Sequence, residues 1–157
     1  MVVRLIDGAI DRQKDNVTGL NLWQLALKIS MTNIPQSVLE SGFDFDWDEK
    51  DVWALNCPPQ EISIDQLAWH FAVPFWNWAG QEYVLTPNQV MAAPQKYQAE
   101  YDRIMAADTA YPIDVMENKG RLVILDGLHR LAKLKLQGCT QVPVRIIPRS
   151  EIKNIAK

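Results

Sequence analysis

Between Arg121 and Gly138 the chain reads RLVILDGLHRLAKLKLQG, a six-residue run suited to a buried strand that meets Asp126-Gly127 and continues as a leucine-rich helix. Taking ~100° per residue from Leu128, Leu131, Ala132, Leu134 and Leu136 fall on one arc, which packs on a sheet. His129, Arg130, Lys133 and Gln137 share the opposite face. Gly138 ends the helix and VPVRII (142–147) supplies the next strand. Upstream, Tyr111-Pro112-Ile113-Asp114-Val115 reads as a strand and Asn118-Lys119-Gly120 as a tight turn. The C-terminal part is therefore a hairpin followed by a strand–helix–strand unit.

The rest of the chain adds helices and short strands around that unit. VVRLI (2–6) has strand character, and NLWQLALKI (21–29) has helical spacing with Thr18 or Asn21 as its cap. Pro35 followed by QSVLESG predicts a short helix stopped by Gly42. A strand is expected at 60–64, leading into a helical turn. Thr86-Pro87 opens a helix that Pro94 interrupts, and a second helix follows at about 95–107, with Tyr97, Tyr101, Ile104 and Met105 as its buried stripe. The whole reads as a single α+β domain over 1–157, with a small mixed sheet. Residues 1–56 form an N-terminal helical extension and 57–150 the core.

Composition narrows the function classes. The apolar fraction is 48% and the charged fraction 22%, ordinary for a globular chain. No run is long and apolar enough to span a bilayer, and the N-terminus lacks a signal-peptide core, so a cytoplasmic location without a membrane partner is expected. With two cysteines and two histidines, a zinc site of ordinary spacing is not expected. FDFDWDEKD (43–51) alternates acids in a way that invites a calcium loop, but it lacks the glycine and the closing glutamate such a loop needs. An aromatic-in strand or a capped helix start is the preferred reading. Six tryptophans, four of them between Trp53 and Trp78, form either a ring-stacking platform or a Trp-filled core.

Charge is distributed unevenly. Residues 1–120 hold 8 Lys/Arg against 17 Asp/Glu, a balance of −9, whereas residues 121–157 hold 8 against 2, a balance of +6. A chain with net charge −3 is a poor non-specific nucleic-acid binder. Its basic C-terminal segment, 121–157, suits a small anion, and a nucleic-acid partner for that segment is a subsidiary reading.

Helix starts attract anions, because their first amides lack internal partners and the dipole is positive there. The functional reading of 126–133 is a phosphate cradle. The amides of Gly127, Leu128, His129 and Arg130 and the Arg130 guanidinium would meet phosphate oxygens, His129 would donate or shuttle a proton, and Lys133 would reach the same anion. Asp126 would hold a metal ion or accept a proton from a substrate hydroxyl. On spacing alone, a plain capped helix with His129 and Arg130 in solvent stands equally well.

The string LDGLHRLAKLKLQG…VPVRII, preceded by YPIDVMENKGRLVIL, resembles the ParB/sulfiredoxin superfamily. Pro112, Ile113, Val115, Gly127, Arg130, Gly138, Val142, Pro143 and Val144 match its outline over about 60–148. The resemblance implies an α+β fold with nucleotide phosphates at this helix start. Sulfiredoxins carry Gly-Gly-Cys-His-Arg, and Leu128 stands at the cysteine position here. Chromosome-partition members carry Gly-Glu-Arg-Arg, and His129 replaces the first arginine. Free-serine kinases carry Asp-Gly-x-His-Arg, matched by Asp126, Gly127, His129 and Arg130. A further catalytic acid would be needed, and Asp65 is assigned from position. The expected ligand is a nucleoside di- or triphosphate (ATP, ADP or CTP) with Mg²⁺. The expected activity is phosphoryl transfer to a small hydroxyl acceptor, and the alternative is a non-catalytic nucleotide-sensing or partner-binding module.

Overall fold

A computed structural model of the chain describes residues 34–157; the strand expected at 2–6 and the helix at 21–29 lie outside the described residues. Helix α1 (Gln36–Ser41) ends at Gly42. Helix α2 (Glu49–Ala54) starts at Asp48, whose carboxylate accepts from the Lys50 amide. Asp48 therefore caps a helix, while Phe43, Phe45 and Trp47 turn inward with ring centroids 5.2–5.9 Å apart. The acid-alternating stretch is a folding device of aromatic packing plus a cap.

Strand β1 (Pro59–Ser63) leads into 3₁₀ turns at Ile64–Gln66 and Ala68–Ala72. A hairpin follows, β2 (Trp76–Trp78) and β3 (Gln81–Leu85). Helix α3 (Pro87–Ala92) carries a capping box between Thr86 and Gln89, a device that stabilises a helix start by about 1 kcal/mol. After α4 (Gln98–Ala106) come β4 (Ile113–Asn118), β5 (Arg121–Asp126), α5 (Leu128–Leu136) and β6 (Gln141–Ile146), then a closing helix α6 (Ile152–Ile155).

The main sheet has the order β1-β6-β4-β5. β4 and β5 form an antiparallel hairpin through Lys119 and Gly120, both at positive φ, and β6 returns parallel to β4. Mixed pairing of this kind follows from a hairpin plus one helical crossover. Central strand β4 has four consecutive buried residues, Ile113 to Met116, because both faces of the sheet are covered. On one face Ile113, Val115 and Ile124 join Leu128, Leu131, Ala132 and Ile104. On the other Met116 and Leu125 join Trp47, Val52, Ile147 and Ile155. The site lies where this three-layer stack ends, at the start of β4 and the end of β5.

Two expected faces differ from the structure. Leu136 and Met105 are exposed rather than buried, and Glu100 takes a buried place on α4. The polar face of α5 is only partly open to solvent, because α4 packs along it: Lys133 Nζ donates to the carbonyls of Met105 and Ala107 at 2.7 Å each, while Gln137 stays exposed. His70, 2% exposed, is a structural residue. Its Nδ1 donates to the Leu67 carbonyl at 2.9 Å and its Nε2 accepts from the Ile124 amide at 3.1 Å. Burial, above all, lowers its pKa to about 3.

Candidate active site at the β5–α5 junction

Strand β5 ends at Asp126, and Gly127 turns the chain into α5 with φ of 111°. A left-handed conformation here favours glycine, the residue without a Cβ. No side chain caps α5, whose first intrahelical bond runs from the Leu131 amide to the Gly127 carbonyl. The amides of 128–130 therefore precede the helical ladder with no side-chain acceptor supplied. This junction opens into a cleft of about 940 Å³ lined by Asp114, Asp126, Gly127, Leu128, His129, Arg130 and Arg145. Trp53, Trp76, Arg103, Asp108 and Tyr111 also line it.

Four of these side chains form a row in which two neighbouring acids, Asp126 and Asp114, are flanked by two cations, Arg130 and Arg145. Asp114 and Asp126 are cross-strand partners in the β4–β5 register, and Asp114 and Arg145 are partners in the β4–β6 register. Arg145 Nε donates to Asp114 Oδ1 at 2.6 Å, and its two terminal nitrogens donate to the carbonyls of Leu55 and Val52 at the end of α2. Arg130 Nη2 donates to Asp126 Oδ2 at 2.5 Å, and the Trp53 indole N–H reaches the same oxygen at 3.0 Å. Burial, the largest influence on Asp114, raises its pKa against the hydrogen bond and charge of Arg145, and the nearby Asp126 pushes it the same way. Arg145 is held firmly charged by its bond to Asp114.

His129 sits between two groups. Its ring stacks on Trp76 at 4.7 Å and 13°, and its Nε2 donates to Glu100 Oε1 at 2.6 Å. A carboxylate only accepts, so in the neutral ring Nδ1 is the atom with the lone pair. Burial pushes the Glu100 carboxyl up, but the hydrogen bond and charge of His129, together with Arg103, outweigh it and hold the group below its ordinary range. The Glu100–His129 pair can hold one tautomer and accept a proton at Nδ1.

The structure brings together Asp126, Gly127, Leu128, His129 and Arg130, and it separates two other residues from them. Lys133 points to the C-terminal carbonyls of α4 and is not a wall of the cleft. Asp65 lies in the 3₁₀ turn capped by Ser63, beside Lys135, Gly138 and Thr140, at the opposite end of α5. The chain turns away from the site after β1, so a carboxylate there does not face the junction. Of the three tryptophans between 69 and 78 only Trp76 lines the cleft. Trp69 is occupied by His70 and Arg121, and Trp78 by Tyr97.

Sequence reasoning missed Asp114, Arg145, Glu100, Arg103 and Tyr111, and it named Trp53 only as one of four clustered tryptophans. Asp114 and Glu100 left a signal: each is a lone acid at a position whose periodicity is apolar, and a buried acid is rare unless it is paired. Among the described residues no group of three or more His, Cys, Asp and Glu stands ready for a metal ion. The chain matches no family model, no curated protein and no solved structure.

Proposed function

We propose that this cleft binds a nucleoside di- or triphosphate, with its phosphates against the amides of 128–130 and the guanidinium of Arg130. One observation carries the reading: a nine-residue helix with no side-chain cap starts in the wall of a large cleft also lined by Arg103, Arg130 and Arg145. Unpaired amides, a helix dipole and guanidinium donors are complementary to a multiply charged oxyanion. The likeness of Asp126, Gly127, His129 and Arg130 to the Asp-Gly-x-His-Arg string supports the same ligand.

Phosphoryl transfer to a small hydroxyl acceptor is the reaction this set of groups serves best, since positioning and charge neutralisation are most of what that reaction needs. Asp126 would orient the acceptor, and His129, fixed by Glu100, would take or return a proton. Magnesium would enter with the phosphates rather than occupy a protein cage, and Asp126 is the carboxylate that would meet it.

A non-catalytic nucleotide sensor is the second reading, favoured by the engagement of Asp126: one of its oxygens is already held by both Arg130 and Trp53. A nucleic-acid partner has less support. Six of the eight cations after residue 120 are tied to internal partners: Arg121 on Trp69, Arg130 on Asp126, Lys133 on α4, Arg145 on Asp114, Arg149 on Glu117 and Asn118, and Lys157 on Asp48.

Calorimetric titration with ATP, ADP and CTP, run beside phosphate-release and acceptor-phosphorylation assays, separates the readings. Binding with turnover supports the transferase and binding without it the sensor. No heat with any of the three nucleotides, with or without Mg²⁺, removes both.

A further inference from the structure

Aromatic side chains in the described part of the chain mostly pack on one another, as Trp47, Trp69, Trp76 and Trp78 do. Two large exposed rings do not. Trp53 is 55% exposed and Tyr111 is 64% exposed, neither makes a ring contact within the described residues, and both line the cleft at the β5–α5 junction. Trp53 is also held in place, since its indole N–H donates to Asp126 Oδ2 at 3.0 Å. A tryptophan with its polar edge anchored in the site and more than half its surface in water presents apolar area that the fold does not use. Exposed aromatic area at a polar cleft marks a surface for a flat partner. The remaining walls carry three guanidinium groups, Arg103, Arg130 and Arg145, set among the carboxylates of Glu49, Asp108, Asp114 and Asp126.

Resting on the phosphate reading above, we propose that Trp53 and Tyr111 form the subsite for the base of the nucleotide. The ligand class is then a planar heterocycle joined to phosphate, and inorganic polyphosphates would engage only half of the site. Trp53 lies on α2, outside the stretch that carries the family resemblance, so this subsite belongs to the packing of residues 43–55 against the core. The indole bond to Asp126 also places the base platform one hydrogen bond from the acid at the phosphate end.

The test compares ATP, ADP and inorganic tripolyphosphate by calorimetry on the full chain and on Trp53→Ala, Trp53→Phe, Tyr111→Ala and Arg130→Ala. Unaltered thermal melting serves as the folding control, and truncation of such exposed rings opens no cavity. Stacking on an aromatic ring predicts that Trp53→Ala weakens ATP and ADP by roughly 10- to 100-fold, that Trp53→Phe retains most of the affinity, and that tripolyphosphate is unaffected by either. Arg130→Ala should weaken all three ligands. If Trp53→Ala and Tyr111→Ala leave nucleotide affinity unchanged, or weaken tripolyphosphate as much as ATP, the base subsite is wrong while the phosphate cradle stands. If the unaltered chain binds neither ATP nor tripolyphosphate, the cradle itself is wrong and the subsite goes with it.

Discussion

The guanidinium of Arg130 lies across Gly127: a β-carbon on residue 127 would stand 2.9 Å from both Nε and Nη2 of that arginine. Gly127 therefore serves the arginine as well as the turn. The bare Cα lets the side chain fold back one helical turn and reach Asp126, which holds the cation in the cleft wall. Gly127→Ala should cost about 1–3 kcal/mol through the positive φ. The guanidinium is the mobile end of a long side chain and would be displaced, so nucleotide affinity should fall as well. Chemical denaturation and calorimetry on the same variant read the two effects separately.

Arg130 and Lys133 sit on the same helix face, and the structure gives them different work. Arg130→Ala should weaken nucleotide binding by about 1.5–3 kcal/mol, the loss expected for a charged hydrogen bond. Lys133→Ala should leave that affinity unchanged and cost about 1–2 kcal/mol of stability, since Met105 and Ala107 lose their donor. Paired titrations check both halves.

The Asp114–Arg145 pair should behave as a buried ion pair that also anchors α2. Arg145→Ala would strand an acid that is only 2% exposed and release the Val52 and Leu55 carbonyls. A loss of about 3–5 kcal/mol in urea denaturation is expected. Adding Asp114→Asn to that variant should recover part of the loss, because the stranded charge is then gone.

His70 predicts an acid-side loss of stability. Its pKa falls from 6.5 to about 3 on folding, so between those values the unfolded chain binds a proton that the folded chain excludes. Stability therefore declines as pH falls through that window, by up to about 1.4 kcal/mol per pH unit. Glu100, held below its ordinary range, adds to the decline at the acid end, and Asp114, raised by burial, opposes it. Denaturation midpoints of His70→Gln measured across pH 4 to 7 should slope less than those of the unaltered chain. An equal slope would contradict the assignment.

Legibility followed the range of the interaction. The run β4–β5–α5–β6 was readable because its signals are local: Lys119-Gly120 at a hairpin turn, a six-residue apolar strand, leucines at helical spacing, and Gly138 at the helix end. The β2–β3 hairpin was not, since its turn puts Ala79 as well as Gly80 at positive φ, and alanine is a poor sign of such a turn. Asp126 to Arg130 could be singled out as a candidate site because the five residues are adjacent in sequence. Glu100 meets His129 across 29 residues, and Trp53 meets Asp126 across 73. Pairings of that span come from how α2 and α4 lie on the sheet, which local pattern does not encode. Asp65 failed for the same reason: its nearness to the first core strand in sequence carried no information about which end of α5 it would face.

Crystals of the chain soaked with ADP and Mg²⁺ would locate the anion directly. The expected map has phosphate oxygens within hydrogen-bond distance of the amide nitrogens of residues 128–130 and of the Arg130 guanidinium. Density for the nucleotide elsewhere, with Arg130 still closed on Asp126 and no anion at those amides, would contradict the phosphate cradle.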